Sequence, residues 1–402
     1  MVGMKIYPRI YTELLRRHLA ENRQMALMSG PRQVGKTTVC LGLADVCLNW
    51  DNQDASALIL KGPAAVASFA GLQKLHATRR IVAFDEIHRY TRWKTFLKGF
   101  FDVYGEKAGT VVTGSSRLDV YKRGGDSLMG RYFLYRMHPF SVAELISAAV
   151  MDDVISPPRS LAEEEWEALW TYGGFPEPFV RRDARFSRRW QNLRQSQLLR
   201  EDVRELTRIQ EIDQLLALAS LLASRSGQQV VYASLAREIR VSENAVRAWI
   251  GSLSALHHGF LVRPWHRSVA AAIRKEPKWF LRDWSCIEDP GQRAETLVAC
   301  HLLKAVEGWI DMGEGQFELF YIRDKQKREV DFVVARDRKP WFLVEVKLSD
   351  TALSPSLDFM QRQIGCRHAF QVVMDEPFVK ADCFSHQTPV VVPARTFLSQ
   401  LI

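Results

Sequence analysis

Short apolar runs alternate with helical stretches over roughly the first 150 residues of this 402-residue chain. The pattern predicts strands at Met25–Ser29, Cys47–Trp50, Arg80–Phe84, Thr110–Thr113 and Tyr132–Met137. Such alternation is typical of a parallel sheet whose strands are joined by crossover helices. We therefore expect an α/β fold for residues 1–150.

The pattern changes after residue 150. Residues 151–225 are predicted to be helical and to form a lid or linker, and residues 226–270 to form a small separate module. Strands return in residues 271–402, at Lys278–Leu281, Phe317–Ile322, Glu329–Ala335, Trp341–Lys347 and Phe370–Met374. The chain is thus predicted to have four parts with these boundaries.

Composition narrows the class of protein. Hydrophobic residues make up 47% of the chain, as in folded globular domains, and the net charge of +9 permits a polyanionic partner without requiring one. The six cysteines are scattered without a C-x-x-C pair, which favours reduced thiols. No apolar run approaches the roughly 20 residues that span a bilayer, and no signal-peptide pattern is present. We expect a soluble, cytoplasmic protein that does not contact a membrane.

A glycine-rich loop lies between the first predicted strand and a predicted helix. It fits the phosphate-binding pattern G-x-x-x-x-G-K-[ST], because glycines let backbone N–H groups turn toward phosphate oxygens. We expect it to bind ATP, with Lys36 at the β- and γ-phosphates and the Thr37 hydroxyl on Mg²⁺. The residues of the loop are Gly30, Pro31, Arg32, Gln33, Val34, Gly35, Lys36, Thr37 and Thr38.

Two adjacent acids follow the strand that begins at Arg80. Asp85 is predicted to hold Mg²⁺, directly or through water, and Glu86 to orient and deprotonate the attacking water. An Asp-Glu pair also occurs as a simple helix cap. Since the phosphate-binding loop lies about fifty residues upstream, we favour the catalytic interpretation.

Three further polar residues are candidates for the ATP site. Thr113 ends the next predicted strand and Ser115 follows it, and either is placed to contact the γ-phosphate or the attacking water. The sequence does not choose between them, and an ordinary turn explains each of them equally well. Arg131 precedes Tyr132–Met137, the last predicted strand of residues 1–150. There it either stabilises transition-state charge at a neighbouring subunit's nucleotide, or it faces solvent or forms an ordinary salt bridge.

These motifs, together with Leu128-Met-Gly-Arg-Tyr132 and Pro139-Phe-Ser-Val-Ala-Glu144, resemble one family. It comprises prokaryotic AAA-type ATPases that carry a C-terminal domain of unknown function, DUF4143. The segment Tyr172-Gly-Gly-Phe-Pro-Glu177 is similar to the family's glycine-rich joint after the ATPase core. The resemblance implies an AAA-like fold and ATP hydrolysis, and it suggests a ring-shaped homo-oligomer.

A basic segment follows this joint. Nine arginines and four acids lie between Arg181 and Arg208. Such a segment either contacts the phosphate backbone of a nucleic acid or is a solvated helical face. Both interpretations stay open.

Residues 232–253 predict a helix, a turn and a second helix capped by Ser242, and a strand follows at Phe260–Pro264. This order is that of a winged helix, and it resembles the corresponding module of the family. In a DNA reader the second helix would present Glu243, Asn244 and Arg247 to the major groove. A module used only for packing or protein binding is equally compatible.

The C-terminal strands contain a second group of candidate residues. A hairpin centred on Arg338 would place Asp331 opposite Glu345, and a divalent cation between them would offset their repulsion. Lys347 shares a face with Glu345 and would activate water or stabilise a phosphate. Glu295, on a preceding helix, would complete the acidic cluster.

This D…E-x-K pattern resembles the PD-(D/E)xK nuclease fold, and the DUF4143 family commonly shows the same run. The resemblance implies an α/β restriction-endonuclease-like domain. The leading interpretation is therefore an ATP-hydrolysing, DNA-directed AAA-type protein that uses ATP and Mg²⁺, with Mg²⁺-dependent DNA cleavage as its sharper form. The alternative is an ATP-dependent protein-binding switch, in which the acids pair with nearby bases and an inactive nuclease fold serves as a scaffold.

Overall fold

The computed structural model of the chain describes residues 7–114, 128–199, 209, 211–266 and 275–402. Contacts divide these residues into two compact units. The first contains the described residues up to Pro139 together with Ala148–Val150, and the second contains Phe140–Ser147 and the described residues from Met151 onward. The four-part division predicted from the sequence is finer than this and stays a prediction.

The first unit is built on a parallel sheet, as predicted. Its strands are β1 (Met25–Ser29), β2 (Val46–Asn49), β3 (Arg80–Asp85), β4 (Ala108–Thr113) and β5 (Tyr132–Arg136). They lie in the order β2-β3-β4-β1-β5, and every pairing between neighbours is parallel. Each predicted strand is present, and its ends agree with the prediction to within one or two residues.

Helices complete the first unit. They span Ile10–Glu21, Lys36–Leu41, Gln53–Leu60, Pro63–Phe69 and Trp93–Tyr104. Strands β1 and β4 are buried at every position, as expected for a parallel sheet with both faces covered. The strand order makes β3, β4 and β1 neighbours, so their carboxyl ends lie at the same edge of the sheet.

The second unit contains a mixed sheet with seven described strands. They are β6 (Gly259–Pro264), β7 (Lys278–Leu281), β8 (Phe317–Arg323), β9 (Glu329–Arg336), β10 (Lys339–Lys347), β11 (His368–Val373) and β12 (Val390–Pro393). Their order is β12-β11-β10-β9-β8-β6-β7. The sequence did not predict β12, because prolines at both ends of this short run argue against a strand. The proline-flanked run lies at the edge of the sheet, where proline is tolerated.

The helices of the second unit span Val142–Ile146, Glu163–Tyr172, Pro176–Arg181, Ala184–Gln197, Ile212–Ser224, Tyr232–Ile239, Glu243–Ala255, Pro290–Asp311, Pro355–Ile364 and Ala394–Ser399. Within the described ranges, no helix combines the length and the apolarity needed to cross a bilayer.

The predicted helix, turn and helix is present at Tyr232–Ile239 and Glu243–Ala255. Ser242 caps the second helix, as predicted, because its hydroxyl accepts a hydrogen bond from the Ala245 N–H at 3.1 Å. Strand β6 follows and pairs with both β7 and β8. Strand β6, which follows the helix-turn-helix, therefore belongs to the same sheet as the C-terminal strands.

Candidate nucleotide-binding site and C-terminal acid cluster

The glycine-rich loop joins β1 to the helix Lys36–Leu41, as the sequence predicts. Gly30 and Gly35 have φ angles of +146° and +103°. A Cβ at Gly30 would lie 2.3 Å from the carbonyl oxygen of Met137. Glycine is therefore required by backbone conformation at both positions and by close packing at the first.

Lys36 is buried at the base of this loop, with 6% of its surface exposed. Its Nζ donates hydrogen bonds to the carbonyl oxygens of Gly30 at 2.9 Å and Pro31 at 2.7 Å, which are its direct partners among the described residues. Burial lowers the pKa of Lys36 to about 8, although the Glu86 and Asp85 carboxylates act in the opposite direction. Among the described residues, neutral oxygens thus hold the Lys36 amine and no carboxylate forms a direct ion pair with it.

Asp85, at the end of β3, is the centre of a hydrogen-bond network. Its Oδ2 accepts from the Thr37 hydroxyl at 2.9 Å and from Asn49 Nδ2 at 2.7 Å, and its Oδ1 accepts from the Thr113 hydroxyl. The carboxyl ends of β2, β3 and β4 and the phosphate-binding loop therefore meet at one buried carboxylate. The sequence reasoning missed Asn49, although a polar residue at the end of a strand was the available signal.

Glu86 follows directly and adopts a left-handed conformation with φ of 54°. Its carboxylate lies 3.7 Å from His88 Nε2, and its side chain is 25% exposed. Burial raises the pKa of Glu86, while Lys36 lowers it. A partly exposed carboxylate with a raised pKa is suited to accept a proton from water. The left-handed conformation is uncommon for a residue other than glycine and occurs at functional sites.

Mg²⁺ would enter this site with ATP as part of the substrate. The Thr37 hydroxyl and the Asp85 carboxylate lie 2.9 Å apart and are oxygen donors of the kind Mg²⁺ prefers. These residues fit the ion, and Thr37 and Asp85 would hold it. When bound, Mg²⁺ neutralises negative charge on the phosphates.

The structure places the three other predicted residues, Thr113, Ser115 and Arg131, in different surroundings or leaves them undescribed. Thr113 contacts Asp85 directly, whereas Ser115 lies outside the described residues. Arg131 forms a bidentate salt bridge with Asp102 of the same chain, at 2.8 Å from Nε and 3.2 Å from Nη2. The structure thus places Arg131 in the salt bridge that the sequence left as an alternative, and a role at a neighbouring subunit stays a prediction.

Arg9 is a further residue at this site that the sequence reasoning missed. It is buried, and its guanidinium donates to the carbonyl oxygens of Val34 at 2.6 Å and His138 at 2.5 Å. These bonds fix the phosphate-binding loop to the segment after β5. No local motif marks this arginine, because its partners lie far away along the chain.

The second group of candidates lies on the predicted hairpin. Strands β9 and β10 pair with Phe332 opposite Val344, and extending this register by one residue places Asp331 opposite Glu345, as predicted. Asp331 Oδ2 accepts a hydrogen bond from the Val346 N–H at 2.9 Å.

A lysine that the sequence reasoning did not consider lies among the predicted acids. Lys278 Nζ is 2.9 Å from Glu295 Oε1, 2.8 Å from Glu329 Oε1 and 3.6 Å from Asp331 Oδ1. Its side chain is only 5% exposed. Burial alone would lower the pKa of Lys278, but the three carboxylates raise it well above its ordinary value. The available signal was one charged residue in a four-residue buried strand, which requires a partner of opposite charge.

Glu345 has a separate partner. Its Oε1 lies 2.8 Å from Lys347 Nζ, and its Oε2 has no hydrogen-bond partner among the described residues. Burial, followed by the nearby Asp331 carboxylate, raises the pKa of Glu345 to about 7. In the described part of the chain, no group of three or more His, Cys, Asp or Glu side chains is arranged to hold a metal ion. The predicted ligands Glu295 and Asp331 instead surround an ammonium group.

The nine arginines between Arg181 and Arg208 differ in their contacts and exposure. Arg181 and Arg182 each pair with a glutamate, at 3.7 and 2.5 Å. Arg194 is held against the Phe175 ring, 4.0 Å from its centroid, and burial lowers its pKa. Arg185, Arg188 and Arg189 are exposed like Arg181 but, unlike it, form no ion pair among the described residues. The remaining three, Arg200, Arg204 and Arg208, lie outside the described residues.

Comparison with protein families gives matches to three separate parts of the chain. Residues 22–146 match the AAA domain, residues 163–287 match a domain of unknown function, DUF8612, and residues 290–379 match DUF4143. These matches support an AAA-type ATPase with a C-terminal DUF4143 domain. The AAA match contains the phosphate-binding loop, Asp85 and Glu86, and it supports an ATP-binding function for the first unit.

Two curated relatives are similar over most of their length. They are uncharacterized proteins of Mycobacterium bovis and Mycobacterium tuberculosis, and each is 25% identical over 347 residues. The alignment covers 83% of this chain and 72% of each relative.

Solved structures show only distant similarity. AMPPCP-bound DnaA from Aquifex aeolicus is 12% identical, with a TM-score of 0.31 over 63% of this chain and 89% of that chain. C. elegans PCH-2 is 16% identical, with a TM-score of 0.24 over 40% and 43%. Drosophila ORC bound to AT-rich DNA and Cdc6 is 10% identical, with a TM-score of 0.22 over 72% and 92%. These scores are too low to support an argument about function.

Proposed function

We propose that this protein binds and hydrolyses ATP and uses the cycle to act on DNA. The arrangement of Lys36, Thr37 and Asp85 beside Glu86 supports the proposed binding and hydrolysis of ATP. It combines an amine held only by neutral oxygens, a hydroxyl and carboxylate suited to Mg²⁺, and a carboxylate suited to accept a proton.

Each of these residues has a defined task in the proposed reaction. Phosphate oxygens of ATP would replace the carbonyl oxygens of Gly30 and Pro31 as partners of Lys36. This exchange stabilises the ammonium, because charged oxygens are stronger acceptors than neutral carbonyl oxygens. Glu86 would take a proton from the attacking water, while Asn49 and Thr113 fix the orientation of Asp85.

The variant Glu86→Gln tests the assignment of the base. Because general-base catalysis contributes roughly 10²–10⁴-fold, we expect ATP turnover to fall by about that factor while ATP binding persists. Turnover is measured by phosphate release and binding by calorimetry. Glu106→Gln serves as a matched control, since Glu106 is an exposed partner of Arg23. Unchanged turnover in Glu86→Gln would rule out Glu86 as the base.

The DNA part of the proposal is supported by the helix Ala184–Gln197. This helix contains four arginines and no acid. Arg185, Arg188 and Arg189 are exposed and share one face through their spacing of three and four residues. None of these three has an ion-pair partner in the described part of the chain. A face with this unneutralised charge suits the phosphate backbone of DNA.

The second helix of the helix-turn-helix has a different charge arrangement. Arg247 forms an ion pair with Glu243 at 2.6 Å, and its guanidinium lies 3.9 Å from the centroid of the Tyr232 ring. Its charge is therefore already partnered within the chain. We assign the main DNA contact to the arginine face rather than to this helix.

Replacing Arg185, Arg188 and Arg189 together by glutamine tests this assignment. We expect weaker binding to duplex DNA and a slope of log affinity against log salt that is shallower by up to about 3, because each phosphate contact contributes about 0.9. Fluorescence anisotropy measures both quantities. Arg225→Gln is the control, since Arg225 pairs with Glu238. If the unmodified protein binds no DNA, the ATP-dependent protein-binding switch replaces this part of the proposal.

The contacts of the C-terminal acids argue against DNA cleavage by this protein. Glu295 and Asp331 contact Lys278, and Glu345 contacts Lys347. These contacts favour the alternative for the C-terminal strands, in which a nuclease-like domain serves as a scaffold.

A further inference from the structure

We infer that Lys278 is a fixed internal cation that occupies the place of a divalent metal, so that the C-terminal acid cluster neither binds Mg²⁺ nor cleaves DNA. This inference extends the scaffold part of the proposed function. It is independent of ATP hydrolysis, because all of its residues lie in the second unit.

The position of the ammonium excludes a shared metal ion. Lys278 Nζ lies within 2.9 Å of both Glu295 and Glu329, at the point where their carboxylates converge. An ion bound by both carboxylates would need this same space. The residues therefore do not fit the metal that the resemblance to nucleases implies.

The backbone and surroundings of Lys278 hold it in this position. It is the first residue of β7 and pairs with Val262 of β6. Its Nζ lies 5.6 Å from the centroid of the Tyr321 ring, and the Tyr321 hydroxyl accepts a hydrogen bond from Gln229 at 3.0 Å. With a side chain only 5% exposed, Lys278 holds its ammonium group away from solvent.

The negative charge of the cluster is already largely neutralised by bases of the same chain. Four acids, Glu295, Glu329, Asp331 and Glu345, lie with three bases, Lys278, Lys347 and Arg323. With all seven groups ionised, the three bases offset all but one of the four negative charges. A further divalent ion would leave excess positive charge in a poorly solvated place. Loss of the Lys278 charge would leave two negative charges without a partner, and these would favour a bound cation.

The variant Lys278→Met tests the inference, because it keeps the length of the side chain and removes the charge. Full-length protein without nucleotide is titrated with Mn²⁺, and free Mn²⁺ is followed by electron paramagnetic resonance. We expect Lys278→Met to gain one site that binds Mn²⁺ about tenfold or more tightly than the unmodified protein, and we expect the added Asp331→Asn change to remove it. Lys347→Met is the matched control and should gain no site, because Lys278 remains.

The unmodified protein provides a second, independent measurement. Its Mn²⁺ titration should superimpose on that of Asp331→Asn, since the inferred cluster binds no metal. Mn²⁺ binding that disappears in Asp331→Asn would overturn the inference, and so would a folded Lys278→Met protein without a new site. If Lys278→Met does not fold, as judged by circular dichroism, the inference is tested by comparing the Mn²⁺ titrations of the unmodified protein and Asp331→Asn. ATP turnover of the unmodified protein is measured in the same preparation, so failure of the proposed ATPase function would be seen separately.

Discussion

Two buried lysines, one in each unit, lie near carboxylates and differ in what they contact. Lys36 is 6% exposed and donates to two backbone carbonyl oxygens. Lys278 is 4% exposed as a whole residue and contacts three carboxylates directly. The pKa of Lys36 falls to about 8 because of burial, whereas the carboxylates outweigh burial and raise the pKa of Lys278.

This difference in partners distinguishes the two places. The phosphate-binding loop around Lys36 can accept an anionic ligand, whereas the acid cluster around Lys278 is already neutralised by the protein. In the part of the chain that the structure describes, Lys36 has no direct counterion, so an anionic ligand such as a phosphate group gains a strong interaction there. The charge of Lys278 is neutralised by the protein itself, and a ligand of either sign would have to break existing ion pairs. Burial of a lysine alone therefore does not indicate function, and the chemical type of its partners does.

Among the tests of this comparison between the two lysines, the largest expected effect is that of Lys36→Met on ATP turnover. Loss of this positive charge removes a contact to the transferred phosphate, and loss of one such preorganised group costs about 10³-fold, or about 4 kcal/mol. Phosphate release measures the rate. Lys278→Met is the matched control, and its turnover should equal that of the unmodified protein wherever it remains folded. Equal losses in both variants would show that the two lysines do not differ as described.

The second effect is the loss of stability in Lys278→Met. Removing one partner of a buried ion pair costs about 3–5 kcal/mol. We expect about 3 kcal/mol, because Glu295, Glu329 and Asp331 retain 20%, 26% and 18% side-chain exposure and so are partly hydrated. Hydrogen exchange of peptides that contain β7 measures the free energy of opening.

A double variant, Lys278→Met with Glu295→Gln, sharpens this test. The second change removes one of the carboxylates left without a partner, so part of the lost stability should return. Lys36→Met should leave the stability of the first unit unchanged or higher, because a charge whose burial is costly has been removed. A decrease there like that of Lys278→Met would contradict the comparison.

The ATP site could be predicted from the sequence because its signals are local. The loop from Gly30 to Lys36 and the pair Asp85-Glu86 each follow a buried strand, and parallel strands bring their carboxyl ends together. Arg9 escaped prediction because its partners, Val34 and His138, lie 25 and 129 residues away.

The acid cluster could be predicted only in part. The hairpin register follows from alternation, and it correctly placed Asp331 beside Glu345. The position of Lys278 depends instead on the tertiary placement of β7 next to the helix Pro290–Asp311, with Glu295 reaching across 17 residues of sequence. No local pattern encodes such a contact. The sequence therefore indicated three acids and one lysine of a nuclease-like pattern, but not Lys278, which lies among the acids.

The third expected effect is a pH dependence of ATP binding that arises from Lys36. Phosphate groups stabilise the protonated amine, so binding raises its pKa above the value of about 8 in the free protein. Below pH 8 the Lys36 amine of the free protein is already protonated, so the affinity for ATP changes little with pH. Above pH 8 a proton must be taken up on binding, and affinity should fall by up to tenfold for each pH unit until the pKa of the complex is reached.

Calorimetry in buffers with different ionisation enthalpies measures this proton uptake directly. Uptake should appear above about pH 8 and be absent in Lys36→Arg, because arginine stays protonated throughout this range. Identical uptake in Lys36→Arg would assign the proton to another group and would leave the low pKa of Lys36 without support.

The smallest expected effect is that of Lys347→Met on stability. Lys347 contacts Glu345 at 2.8 Å, but its side chain is 34% exposed, so solvent screens the pair. We expect a loss below about 1 kcal/mol, typical of exposed ion pairs, measured by hydrogen exchange of β10. The loss should shrink further below pH 7, where Glu345 takes up a proton and no longer needs a counterion. A loss as large as that of Lys278→Met would mean that both lysines share the role of internal cation, because Lys347 would then be neutralising the same cluster.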